Sequence, residues 1–198
     1  MKSWREMFGA KTTDSEQARD SAAETGDGLV ENQALKALFA RADRIRAQNG
    51  LAATTDSSVG AQVVLTSLAM EVLRVADKEV HPNAMDSRKA ALAWAYVCCM
   101  SAPIFAIVDK QDDFDHQAFV LAVASAVLQF FDSRSLVQII QEGTILFHNI
   151  VNEGEQSQAF LNFNDQVHEL VLAYIADEAG DAIDGLRERY SVFGKLIS

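Results

Sequence analysis

Two Asp-x-x-His pairs offer the most specific chemistry in this 198-residue chain: Asp113 with His116, and Asp165 with His168. On a helix, the i, i+3 spacing sets both side chains on one face. Di-iron carboxylate proteins use a Glu-x-x-His pair on each of two helices and one further Glu from each of two others. Glu71 and Glu142, inside apolar helical stretches, would supply the remaining carboxylates. Against this, Asp is one methylene shorter than Glu. Asp113 also stands at a helix start, in a turn already rich in acids, where capping and the helix dipole account for it more simply. With 4 His and 28 acidic residues, pairs at this spacing arise by coincidence. A dinuclear metal carboxylate enzyme is therefore an alternative reading, and no cofactor is expected.

Other constellations are weaker. The turn holding Asp109, Asp112, Asp113 and Asp115 lacks the glycine and closing Glu of an EF-hand loop. Cys98 and Cys99 are adjacent, which is neither a CxxC pair nor a disulfide framework, and they read as buried thiols in a reducing compartment. The chain has no P-loop, no GxGxxG after a strand, no GxSxG elbow and no HExxH. Catalysis has no motif to stand on here, and the expectation is a protein that is not an enzyme.

The feature with most weight is acidic. Asp177, Asp181, Asp184 and Glu188 recur at i, i+4, i+7 and i+11, with Glu178 beside them. They form a continuous stripe if one helix runs through them. Like charges at i, i+4 destabilise a helix by a few tenths of a kcal/mol, roughly, per pair. A basic partner would compensate them; so would the Lys36, Arg41 and Arg44 face of the same chain, or solvent alone. A second candidate contact lies at the N-terminus. Trp4, Met7 and Phe8 share one face of a helical turn, followed by a polar stretch up to residue 28. That arrangement suits an apolar anchor on a tether, or a short segment packing on its own domain.

The elements that position these residues are helical. Leu35, Leu38, Phe39, Ala42 and Ile45 make the stripe of a helix over 29–49, with Asn49-Gly50 as its stop. A second helix is expected over 59–80, ended by His81-Pro82, and a third from Arg88 to Val108. Further helices are expected over 117–131 and 133–152, the latter with Gly143 allowing a close helix contact. A long segment over 157–196 should bend near Gly180 and Gly185. No stretch alternates as a strand does. The fold expected is all-α: a single bundle of about six helices over 29–198, with a polar tail over 1–28.

Residues 90–108 and 117–131 are uncharged runs of nineteen and fifteen residues. They fit two core helices of a bundle, which are apolar all round. The alternative is a helical hairpin in a membrane, with basic residues on one side and acids in its turn. Met1–Lys11 scatters its apolar residues among charges, so no secretory signal is expected.

The formal net charge is −11, and residues 51–198 carry all of it. From Ser135 to Leu186 there are nine acids and no Lys or Arg. Such a surface repels nucleic-acid phosphates and anionic lipids and attracts a basic protein. The sequence thus points to a bacterial-type or cytosolic, cytoplasmic, non-catalytic interaction protein: an adaptor, chaperone, toxin-neutralising protein or assembly subunit. Its expected partner-binding residues are Asp177, Glu178, Asp181, Asp184, Glu188, Trp4, Met7 and Phe8. An inner-membrane-associated subunit is the alternative.

Overall fold

A computed structural model describes residues 27–76, 87–109, 111, 115, 117, 140–146, 149, 158–177 and 179–196. The regular elements among the described residues are all helices, with no strand among them. Five long helices are α1 (Asp27–Gln48), α2 (Ser57–Ala76), α3 (Ser87–Val108), α4 (Gln158–Ile175) and α5 (Ala179–Leu196). Residues 140–146 add a sixth helical stretch. They pack as a bundle, as the apolar periodicity implies. Residues 1–26, including Trp4, Met7 and Phe8, lie outside the described residues.

Local signals set the helix ends. Gly50 takes φ 71, and the amides of Gly50 and Leu51 bond back to the carbonyls of Ala47 and Arg46. This double closure satisfies the last carbonyls of α1 and needs a left-handed residue, which glycine supplies without steric cost. α2 begins two residues before the expected Val59. Asp56 is its cap, with Oδ1 accepting from the Val59 amide at 2.9 Å. Thr54 ties the intervening loop to α1 by donating its amide to Asp43 Oδ1 at 2.9 Å.

α3 is the central helix. Ala93 through Met100, Ile104 and Val108 are all buried. α2 packs on one side of it and α4 on another, and α5 also touches it. Among the described residues, Ala91–Val108 is the one window long and apolar enough to cross a membrane, and 78% of it is buried inside the bundle. That is the burial of a helix surrounded by others. Of the second uncharged run, 117–131, only Gln117 is described.

Aromatic packing fixes α3 against α4 and α5. The Tyr96 ring lies 5.2 Å from Tyr190, 5.3 Å from Phe193 and 6.3 Å from Phe163, all tilted. Its hydroxyl donates to the Leu186 carbonyl at 2.8 Å, so the buried phenol is satisfied. Gly143 allows the close contact that its place in a helix suggested. A Cβ there would meet Trp94 Cδ1 at 2.7 Å and the Ala91 carbonyl oxygen at 2.8 Å. Trp94 Nε1 then donates to Thr144 Oγ1 at 3.2 Å.

The last two helices form an antiparallel hairpin. Gln166 pairs with Arg189, and Leu170 sits over Gly185. The break between them falls at Ala176-Asp177, just before Gly180, where Asp177 takes φ 88. Gly180 and Gly185 both lie within α5. Gly185 serves the packing instead, since a Cβ there would stand 2.7 Å from Leu170 Cδ2.

Candidate interaction surface

The break at Asp177 divides the acidic stripe. No single helix carries Asp177, Asp181, Asp184 and Glu188, so the continuous four-residue stripe does not form. Asp177 turns instead toward α1, where its carboxylate pairs with Arg44 Nη1 and, at 3.4 Å, with Arg41 Nη1. Its hydrogen bond from Arg44 holds the Asp177 carboxyl below the usual aspartate range; desolvation opposes this, and the charges of Arg44 and Arg41 add to it. The basic face of α1 thus compensates the first acid of the stripe. Glu178 lies outside the described residues.

Arg41 continues inward from that pair. Its guanidinium carbon stands 4.1 Å above the centre of the Tyr174 ring. The Tyr174 hydroxyl donates to Ser67 Oγ at 3.3 Å and lies 3.5 Å from Glu71 Oε1, to which Ser67 also donates at 3.3 Å. The Glu71 backbone carbonyl accepts from Arg187 Nη2 at 3.1 Å, and Arg187 Nη1 reaches Asp184 at 2.7 Å. One polar chain therefore runs from Asp177 through α1, α4 and α2 to Asp184 on α5.

What remains of the stripe is on α5. Asp181, Asp184 and Glu188 are exposed at i, i+3 and i+7, one outward face. Asp181 stands in the first turn, where its charge suits the helix dipole. The side chains of Asp184 and Glu188 are 77% and 68% exposed, though each has an arginine beside it, Arg187 and Arg189. α4 adds Asp165 and Glu169, both exposed, and the half-exposed Leu161 and Leu172. No family model, curated protein or solved structure matches this chain.

Next to Arg187 a half-open cleft of about 430 Å³ lies between α1, α2 and α5. Ile45, Leu51, Val63 and Met70 give it apolar walls, and Glu71 and Arg187 a charged edge. Arg46, also on its rim, is held by the Ala52 carbonyl. Sequence spacing does not reveal it, because its lining is brought together from α1 and the loop after it, from α2, and from Arg187 of α5.

The metal alternative gains no assembled ligand set. Among the described residues no three His, Cys, Asp or Glu side chains come together as a metal would need. Glu71 spends its carboxylate on Ser67 and Tyr174. Asp165 is exposed on α4, and burial lowers the pKa of its neighbour His168 against the opposing pull of Asp165 and Glu169. Glu142 is half-buried in the stretch 140–146. Asp113 and His116 lie outside the described residues. Cys98 and Cys99 are free and buried in α3. Burial pushes the Cys98 thiol up to about 12 and raises Cys99 too, which disfavours the reactive thiolate.

Proposed function

We propose that the chain is a non-catalytic protein–protein interaction protein whose α5 face, Asp181, Asp184 and Glu188, docks a basic protein partner. The observation that carries this reading is the exposure of these three acids on one turn-spaced face of α5. The net charge of −11 supports it by steering a basic partner inward from a distance. Asp177 is excluded from the docking set, because it stands in the turn before α5 and its carboxylate is drawn to the two arginines of α1. A cytoplasmic site of action, and a role as adaptor, chaperone, toxin-neutralising protein or assembly subunit, belong to the same proposal.

The test is charge reversal. A variant carrying Asp181→Lys, Asp184→Lys and Glu188→Lys should keep its helicity and thermal transition but lose a partner that co-purifies with the natural protein. That partner's retention should also fall steeply as salt is raised. Undiminished, salt-insensitive retention by the reversed variant would sink the proposal.

A further inference from the structure

We draw no further inference here: the strongest candidate, the half-open cleft between α1, α2 and α5 edged by Leu51, Met70, Glu71 and Arg187, carries nothing because nothing in the structure shows what covers it.

Discussion

Arg41 lies over the face of Tyr174, 4.1 Å from the ring centre, while the same guanidinium reaches across to Asp177 in the α4–α5 turn. One side chain of α1 thereby holds both the end of α4 and the turn that follows it. The Arg41 side chain is 14% exposed, and its Nε is buried without a hydrogen-bond partner. Water screens the stacked cation little at such a position, so the ring contact carries weight.

A double-mutant cycle measures that contact. Arg41→Ala and Tyr174→Leu together should show a coupling of about 1 kcal/mol by denaturant unfolding. The cycle of Arg41→Ala with Tyr174→Phe should show little, because phenylalanine keeps the ring. Tyr174→Phe alone should cost about 1 kcal/mol for the hydroxyl's bonds to Ser67 and Glu71. Equal coupling in both cycles would mean that the hydroxyl, not the ring, is what Arg41 senses.

Asp177 gives stability an acid-sensitive component of known sign. Its folded pKa is depressed by Arg44, so its contribution is present above the ordinary aspartate range and is lost as pH falls through the folded value. Asp177→Asn removes the charge but tolerates the left-handed backbone. The stability gap between wild type and Asp177→Asn should therefore be widest near neutrality and close in acid. Unfolding midpoints compared across pH would show this, and a gap independent of pH would assign the loss to something other than the ion pair.

Much of the fold is legible in the sequence for a simple physical reason. Core positions recur at helical spacing: of the apolar positions Phe160, Phe163, Val167, Leu170, Val171 and Tyr174 along α4, all are buried except Leu170, which is partly buried against the core. Asn49-Gly50 marks the end of α1 because only a left-handed residue closes the last turn there. A break near Gly180 is legible, but its position at Asp177 is not. Its neighbours Ala176 and Ala179 favour helix, and Gly180 and Gly185 look like the breakers. The turn depends on tertiary pairing with Arg41 and Arg44, more than 130 positions earlier, and local propensity has no access to that. The same distance hides the division of the acidic stripe. The α5 acids keep their helical spacing, so that half of the candidate surface can be read directly.

The two close-packing glycines should respond differently to alanine. At Gly143 the added Cβ meets a backbone oxygen and the indole root of Trp94, neither of which can swing away. Gly143→Ala should cost about 1–2 kcal/mol even after its gain in helix propensity. At Gly185 the obstacle is the free end of Leu170, which can change rotamer. Gly185→Ala should stay within about 1 kcal/mol of wild type. Denaturant unfolding ranks them, and the reverse order would mean that residues 140–146 pack less tightly on α3 than described.

The central claim is that the outward face of α5 meets a protein partner. Site-specific photocrosslinking in intact cells tests it most directly. A photoreactive side chain is placed singly at Asp181, Asp184 and Glu188, and as controls at the exposed Ala40 and Ala47 of α1. The account predicts one discrete adduct with a basic polypeptide from the three α5 positions and none from the controls. No adduct from α5, or the same adducts from both helices, would contradict it.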